Sequence, residues 1–272
     1  MTKTIVITGS TSGIGQELVN QFSEDDYRIF CGYRNKEKLN FPESEKIIPF
    51  YIDMKDRKSI IAAAEFIKSN TEKIDVLINV AGIVVAGPVE LTDTDRLREQ
   101  FDVNVFSHIE FSQNLVPILE NGRIINISSM ASFGNFPFIS PYCASKRALD
   151  IFFNAFAMEN HKKIKVISIK PGVIVTPIWE KAVESNLKAV TEFGDYEDEM
   201  NFIKNNALKH TDKGLRVETA AKFIKDVAQK KNPSCSYTIG ADAKFAQIMS
   251  YLPQDLIVKL VRFGLKLRMN KS

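Results

Sequence analysis

Ile5-Val6-Ile7-Thr8-Gly9-Ser10-Thr11-Ser12-Gly13-Ile14-Gly15 is the stretch that decides the fold of this 272-residue chain. Three β-branched residues lead into glycines at Gly-x-x-x-Gly-x-Gly spacing, and the apolar residues that follow recur at helical intervals. A strand, a glycine turn and a helix in this order are typical of dinucleotide binding, because the backbone can approach a pyrophosphate at the helix N-terminus. The position directly after the first strand argues against a glycine turn that binds nothing. We therefore predict that a dinucleotide contacts Gly9, Ser10, Thr11, Ser12, Gly13, Ile14 and Gly15.

Short apolar segments and helical patterns alternate along the rest of the chain. Six strand segments end near residues 7, 32, 52, 79, 129 and 169, and a seventh follows at 235–239. This alternation predicts an α/β fold, a doubly wound, seven-stranded parallel sheet with right-handed crossovers in a single domain. We expect residues 1–240 to form its dinucleotide-binding and catalytic part, with a substrate loop at 176–212. Residues 241–272 are expected to form a C-terminal helical extension.

The composition disfavours several classes of protein. The net charge of +3 is too small to favour nucleic acid as a partner. It originates in the tail, because residues 259–272 carry five basic residues and no acidic one. The three cysteines are widely spaced, which argues against a disulfide framework or a zinc site and favours a reducing, cytoplasmic compartment. We expect no signal peptide, no membrane-spanning segment and no metal, since the three histidines lack ligand spacing.

The residues that follow the second and third strands bear on the choice of cofactor. An acidic residue after the second strand binds the ribose 2′-hydroxyl of NAD, whereas an arginine suits the 2′-phosphate of NADP. Arg34 occupies that place, and no carboxylate follows until Glu37. We predict NADP(H) as the favoured cofactor; NAD(H) is the alternative if Arg34 is only a solvated loop residue. Asp53, with Met54 beside it, follows the third strand at the rim where adenine would lie.

Ser140-Pro141-Tyr142-Cys143-Ala144-Ser145-Lys146 carries the candidate chemistry. If a helix begins at Ser140 or Pro141, Tyr142 and Lys146 lie one turn apart on the same face. A cation there would lower the phenol pKa from about 10, so that the tyrosine exchanges a proton near neutral pH. Taken alone, the pair also fits a surface tyrosine and lysine at helical spacing.

Two polar residues elsewhere in the chain are further candidates for a functional role. Ser129 ends the fifth strand, at the carboxyl edge of the sheet where ligands bind in such folds. Asn104 lies among apolar residues inside a predicted helix, where its side chain competes for backbone hydrogen bonds. The residues alone leave open whether Asn104 is a buried structural asparagine or marks a bend or a water site.

Together these residues resemble the short-chain dehydrogenase/reductase family, in its compact single-domain branch, over roughly residues 3–240. The shared elements are Thr8-Gly9-x-x-x-Gly13-Ile14-Gly15, Asp53, Asn79-x-Ala81-Gly82, Asn104, Ser129, Tyr142-x-x-x-Lys146 and Pro171-Gly172-x-x-x-Thr176. Val80 is the one visible departure, since many relatives have a second asparagine there.

The resemblance implies an oxidoreductase that interconverts a carbonyl and an alcohol, and we expect a homo-oligomer, a dimer or a tetramer. Tyr142 would be the general acid/base, with its pKa lowered by Lys146, which would also hold the nicotinamide ribose. Ser129 would hydrogen-bond the substrate oxygen, and Asn104 would hold a water that links Lys146 to solvent. Besides the glycine turn, the implied cofactor-binding residues are Asn79, Ala81, Gly82, Tyr142, Lys146, Pro171, Gly172, Val173 and Thr176.

The substrate is indicated by apolar side chains in two loops. They would suit a small apolar carbonyl or alcohol, although the aromatic ones would equally well seal the core. These side chains are Phe133, Phe136 and Phe138 before Tyr142, and Ile178, Trp179, Ala182, Val183 and Leu187 in the substrate loop. The C-terminal extension also resembles that of family members that act on retinoid, steroid or acyl-lipid carbonyls, and this resemblance implies a lipid-, retinoid- or steroid-like substrate.

The tail forms an apolar helical stripe with basic flanks over residues 251–271. A basic amphipathic helix can lie on an anionic membrane surface, which predicts peripheral membrane contact. Packing on its own domain or on a partner subunit is the alternative. The stripe is Leu252, Leu256, Ile257, Leu260, Val261 and Leu265, and its flanks are Lys259, Arg262, Lys266 and Arg268.

Three other functions are weighed against this reading. A 3-oxoacyl-carrier-protein reductase generally ends near the last strand, so the extra thirty residues count against it. A cofactor-sensing regulator on the same fold does not need Ser129, Tyr142 and Lys146. A nucleotide-sugar epimerase or dehydratase shares the Tyr-x-x-x-Lys pair but usually carries Gly-x-x-Gly-x-x-Gly and a larger C-terminal domain.

Overall fold

The computed structural model describes residues 2–41, 44–176, 178, 182, 193–201, 205 and 214–269, with side chains described as far as Leu265. Most of the predicted substrate loop, including Trp179, Val183 and Leu187, lies outside the described residues.

Seven parallel strands form one sheet in the order β3-β2-β1-β4-β5-β6-β7. The order reverses between β1 and β4, the switch point beside which ligands bind in sheets of this kind. The predicted doubly wound, seven-stranded parallel sheet in a single domain is thus confirmed. The strands are β1 (Lys3–Ile7), β2 (Tyr27–Tyr33), β3 (Ile47–Tyr51), β4 (Val76–Asn79), β5 (Arg123–Ile127), β6 (Lys165–Pro171) and β7 (Ser236–Ile239).

Helices cover both faces of the sheet. Short polar side chains start several of them: the carboxylate of Asp56 accepts a hydrogen bond from the N–H of Lys58, and that of Asp93 from the N–H of Asp95. The helices are α1 (Gly13–Ser23), α2 (Arg57–Asn70), α3 (Thr94–Phe101), α4 (Ser107–Leu115), α5 (Ser140–Glu159), α6 (Val217–Gln229), α7 (Ala241–Met249) and α8 (Gln254–Met269).

Alternate residues of the central strands feed two apolar layers. Leu77 and Ile124 pack toward α2, α4 and α5, whereas their neighbours Ile78 and Ile125 pack toward α1 and α6. All four side chains are fully buried. Burial on both faces is the reason why these strands read as continuous apolar runs in the sequence.

Two local departures from the predicted elements matter for the site. β5 ends at Ile127 instead of reaching Ser129, because Ser129 caps a short 3-10 turn, Met130–Phe133, by accepting a hydrogen bond from the N–H of Ala131 (3.1 Å). The helix predicted around Asn104 is interrupted by a π-helical turn, Asp102–Phe106, between α3 and α4. Such a turn is a bend that is frequent at functional sites, and it is one of the readings that the sequence left open.

None of the helices within the described ranges is both long enough and apolar enough to cross a membrane.

Candidate active site

The glycine turn joins β1 to α1 and lies directly against the segment after β4. Gly9 has a φ of +63°, and a Cβ added to it would lie 2.9 Å from the Cα of Ala81. Ser10 is buried behind the turn, where its backbone N–H and its hydroxyl both donate to the carbonyl oxygen of Gly32 in β2 (3.0 and 2.8 Å). Only a glycine therefore fits at position 9, and the turn is anchored on both sides.

Thr8 makes the second connection between these two segments. Its buried hydroxyl oxygen accepts hydrogen bonds from the N–H groups of Val80 (3.0 Å) and Ala81 (3.3 Å). The sequence motif contains Thr8, but no role was predicted for it. The pairing spans more than seventy residues, so that only the parallel β1–β4 contact reveals it.

A cleft of about 520 Å³ opens at the carboxyl ends of β1, β2 and β4. Its volume lies in the range of small-molecule and cofactor sites. Eleven of the predicted cofactor-binding residues line it, namely Gly9, Thr11, Ser12, Gly13, Ile14, Arg34, Asp53, Met54, Ala81, Gly82 and Thr176. Lining residues outside the predicted set include Tyr33, Asn35, Lys38, Lys55 and Arg96.

The other predicted cofactor residues lie outside the described lining of this cleft. Gly15 and Asn79 are buried, and the side-chain amide of Asn79 donates to Asn126 Oδ1 (2.8 Å) across β4 and β5. The Pro171–Val173 segment meets the start of α7, where the N–H of Val173 donates to the carboxylate of Asp242 (2.7 Å). For these residues, contact with a cofactor stays a prediction.

The cleft fits a dinucleotide with an added phosphate. Gly13 and Ile14 begin α1, whose first turn carries no acidic side chain, so that the positive end of the helix faces the cleft. At the end of β2, Arg34 and Lys38 bring two cations to the lining. A phosphate on the adenosine ribose is the group that such a pair of cations suits.

Tyr142 and Lys146 lie one turn apart near the start of α5, as predicted. Both side chains are buried, and Lys146 Nζ is 5.8 Å from the centroid of the Tyr142 ring. The Tyr142 phenol shares a hydrogen bond with the hydroxyl of Ser129. The structure therefore brings the three residues together, although they come from two different elements.

The direction of the Tyr142 pKa shift differs from the prediction. Burial raises the pKa of Tyr142 to about 12, and the hydrogen bond with Ser129 offsets only part of this rise. Burial also lowers the pKa of Lys146 to about 8, against the opposing charge of Asp150. Lys146 does not lower the phenol pKa here, because desolvation dominates and the ammonium donates to the carbonyl oxygen of Ile127 (2.8 Å). At neutral pH the phenol is protonated.

Asn104 lies in the π-helical turn and connects the β4 loop to α5. Its Oδ1 accepts from the N–H of Ile83 (2.9 Å), and its amide donates to the carbonyl of Ile83 (3.0 Å) and to Ser145 Oγ (3.1 Å). Ser145 donates in turn to the carbonyl oxygen of Tyr142 (2.8 Å). Gly82 lies beside this network, since a Cβ there would be 3.3 Å from Asn104 Oδ1 and 3.7 Å from Lys146 Nζ. The predicted water at Asn104 stays a prediction.

Two further buried residues position the β4 loop and were not predicted. The side chain of Gln100 accepts from the N–H of Val85 (2.6 Å) and donates to the carbonyl oxygen of Ile83 (2.8 Å). His108 Nε2 lies 2.8 Å from the carbonyl oxygen of Ala81. Burial lowers the pKa of His108 to about 4, so the ring is neutral and Nε2 carries the hydrogen that this carbonyl accepts. The sequence signal that could have identified Gln100 and His108 is a polar side chain at a position of an amphipathic helix where apolar residues are expected.

Tyr142 belongs to a small apolar cluster. Val84, Ala131 and Ala182 are buried in it, and Phe136 and Ile178 pack against it. Of the predicted substrate-side residues, Ile178, Ala182 and Phe136 therefore lie beside Tyr142. Phe133 and Phe138 face other partners: the first lies 5.6 Å from Lys170 Nζ, and the second is edge-on to Tyr196.

Comparison with known proteins agrees with this geometry. A family model described as short chain dehydrogenase matches residues 3–187. The NADPH-dependent 3-dehydrocapnine reductase of Ornithobacterium rhinotracheale is 29% identical over 96% of each chain. The 3-ketodihydrosphingosine reductase of Bacteroides thetaiotaomicron is 28% identical, over 97% of this chain and 98% of the relative. A short-chain dehydrogenase from Burkholderia cenocepacia, solved in complex with NADP, has the same fold with a TM-score of 0.72, at 24% identity over 95% and 97% of the two chains.

Proposed function

This chain belongs to the short-chain dehydrogenase/reductase family and is an NAD(P)-dependent oxidoreductase that acts on carbonyl or alcohol groups; we propose that it reduces a ketone near the polar end of a long-chain, lipid-like molecule, with Tyr142 as the proton donor. The observation that carries the proposal is the buried phenol of Tyr142, which is hydrogen-bonded to Ser129 and belongs to an apolar cluster.

NADP(H) is the favoured cofactor. The prediction made from Arg34 is confirmed by the NADPH-dependent relative and by the cations that line the cleft. When bound, NADPH supplies the hydride that reduces the carbonyl carbon. The N–H groups of Gly13 and Ile14 would hold the pyrophosphate, and Arg34 with Lys38 would hold the 2′-phosphate.

Tyr142 is the residue that would protonate the substrate oxygen. A phenol with a pKa of about 12 stays protonated at neutral pH, which is the form needed to donate a proton and hence to reduce a carbonyl. Ser129 would donate a second hydrogen bond to the same oxygen and orient it. Lys146, with a pKa of about 8, is close enough to neutrality to return a proton to the phenolate. The nicotinamide ribose would lie against its ammonium.

A ketone near the polar end of a long apolar chain is the substrate class we favour. The names of the two relatives, a 3-dehydrocapnine reductase and a 3-ketodihydrosphingosine reductase, both place the oxidised carbon of their substrate at position 3. Val84, Phe136 and Ile178 would contact the apolar part of such a molecule next to Tyr142.

A chain-length series tests the substrate class. NADPH consumption is measured with 3-keto compounds that share one polar head and differ in tail length. Each methylene that the protein buries contributes about 0.8 kcal/mol, so kcat/KM should rise about fourfold per methylene until the pocket is filled. A kcat/KM that does not depend on tail length contradicts the lipid proposal. Turnover only with acyl-carrier-protein thioesters would favour a 3-oxoacyl-carrier-protein reductase instead, and turnover with no carbonyl would favour a cofactor-sensing regulator.

We also propose that the protein forms a homo-oligomer through α4 and α5. Phe106, at the start of α4, and Ile151 and Phe152 on α5 are large apolar side chains that are at least half exposed. A second copy would cover them. Light scattering should give a multiple of the 30.7 kDa chain mass, and Phe152→Glu should reduce it. A monomeric wild-type protein would contradict this assembly.

A further inference from the structure

The last two helices and the residues between them expose several large apolar side chains, which we call the C-terminal apolar surface. Its members on α7 and after it are Phe245, Ile248 and Tyr251, which are 64%, 66% and 80% exposed. On α8, Phe263 is 62% exposed, and Leu256 and Leu260 are more than one-third exposed. Single exposed apolar residues are ordinary, but six within nineteen residues mark a surface that contacts an apolar partner.

The apolar residues of α8 form one broad face that is only partly covered. Ile257, Val261 and Leu265 are half-buried. Leu256, Leu260 and Phe263, which recur at i, i+4 and i+7, form an apolar stripe along the exposed edge of this face. A helix that only packs on its own domain exposes its polar face and buries its apolar one. The exposed stripe therefore needs another partner.

The charges beside this stripe identify the partner. Lys259 and Arg262 are exposed next to it, and Lys244 is exposed on α7. The sequence from 259 to 272 contains no acidic residue. A second copy of the chain, related by two-fold symmetry, would bring these like charges together. An anionic lipid bilayer instead offers both an apolar layer and negative headgroups.

We propose that the C-terminal apolar surface docks on an anionic lipid bilayer. The bound helices would lie in the headgroup region with the apolar stripe buried and the basic side chains among the lipid phosphates. Peripheral docking of this kind requires no membrane-crossing helix.

The position of α7 places the bilayer beside the candidate active site. Asp242, at the start of α7, accepts the hydrogen bond from the N–H of Val173 at the carboxyl end of β6. Helix α7 also packs against the 3-10 turn Met130–Phe133, which directly follows Ser129. A bilayer on this surface would thus present a long-chain ketone near Tyr142. This consequence rests on the proposed function, but the docking itself does not.

Sedimentation with vesicles tests the proposal on the full chain. Vesicles of phosphatidylcholine alone are compared with vesicles that also contain phosphatidylglycerol. Wild-type protein should bind the anionic vesicles, and high salt should weaken the binding. The pair Leu260→Glu with Phe263→Glu, and separately the pair Lys259→Glu with Arg262→Glu, should each lower the partition constant more than tenfold.

Matched variants make the result specific. Met158→Glu replaces an equally exposed apolar residue at the far end of α5, the end that lies at the opposite edge of the sheet, and it should bind like wild type. Unchanged thermal unfolding and unchanged reduction of a water-soluble ketone would show that each variant is folded. Absence of binding to anionic vesicles overturns the proposal, as does equal binding by the Leu260/Phe263 variant. Dissociation of an oligomer by that variant, without any vesicle binding, would assign the surface to a second copy and also overturns it.

Tyr142→Phe separates docking from catalysis. This variant should bind anionic vesicles as tightly as wild type, because Tyr142 is buried away from the C-terminal apolar surface. Wild-type protein that reduces ketones but does not bind vesicles would refute docking alone. Protein that binds vesicles but reduces no ketone would refute the proposed function alone.

Discussion

Replacing Gly9 with alanine tests how the glycine turn and the β4 loop are held together. At a φ of +63° an alanine costs about 1–2 kcal/mol in backbone strain. Its Cβ would lie 2.9 Å from the Cα and 3.0 Å from the backbone nitrogen of Ala81, and both are main-chain atoms that cannot rotate away. Forcing this segment apart adds about 1–3 kcal/mol. We expect Gly9→Ala to lower the free energy of unfolding by about 2–5 kcal/mol.

Gly194 provides a matched control for the strain alone. It has a φ of +54°, and no heavy atom of the residues that the structure describes lies within 4 Å of an added Cβ. Gly194→Ala should therefore cost only the backbone part, about 1–2 kcal/mol. The difference between the two variants isolates the contact between Gly9 and Ala81.

Urea unfolding and NADPH titration measure the two consequences. Because Ala81 lines the cleft, the displaced loop should also raise the Kd for NADPH about tenfold in Gly9→Ala, whereas Gly194→Ala should leave it unchanged. If Gly9→Ala loses no more stability than Gly194→Ala and binds NADPH normally, the contact does not hold the cofactor site and the reasoning is wrong.

Three further substitutions probe the cofactor preference, the loop and the buried histidine. Arg34→Ala should raise the Kd for NADPH about 10- to 100-fold and leave NADH binding unchanged, since only NADPH loses charge-assisted hydrogen bonds; an equal loss for both cofactors would count against Arg34. Asn104→Ala leaves the N–H of Ile83 unpaired, while the carbonyl of Ile83 keeps the hydrogen bond from Gln100, and it should lower the free energy of unfolding by about 1–3 kcal/mol in urea; a change below about 0.5 kcal/mol would contradict the buried network. The pKa of His108 is about 4 in the folded protein and 6.5 in the unfolded chain, so the free energy of unfolding should fall by about 3 kcal/mol as the pH falls from 6.5 to 4. His108→Asn should remove this pH dependence, and parallel pH profiles for the two proteins would refute the role of His108.

The sheet was predictable because its determinants are local. Apolar runs such as Ile5–Ile7 and Val76–Asn79 are buried on both faces, and the glycine turn fixes the connection between β1 and α1. Differences of one or two residues at the strand ends arise where a cap or a pairing with a distant strand decides the boundary.

The supporting residues of the site were not predictable in the same way. Thr8, Gln100 and His108 each hydrogen-bond to the backbone of residues 80–85, from positions 72, 15 and 27 residues away in the sequence. Their roles depend on how three elements meet, which no local pattern encodes. Nothing in the local sequence indicates a role for Ser145, which lies between Tyr142 and Lys146, because its hydrogen-bond partner Asn104 is forty-one residues away.

The phenol pKa shows where local reasoning fails in sign. The spacing of Tyr142 and Lys146 places a cation one turn away, which alone would lower the pKa. Burial is a property of the whole fold, and here it raises the pKa of Tyr142 to about 12 and lowers that of Lys146 to about 8.

The substitution Tyr142→Phe tests the central proposal most directly, because it removes one hydroxyl from a buried ring. The measurement is the rate of NADPH oxidation with a long-chain 3-keto substrate, together with the Kd for NADPH. General acid catalysis contributes about 10²- to 10⁴-fold, so the rate should fall by at least 100-fold while the Kd changes little. A Tyr142→Phe enzyme that retains most of its rate would contradict the assignment of Tyr142 as the proton donor.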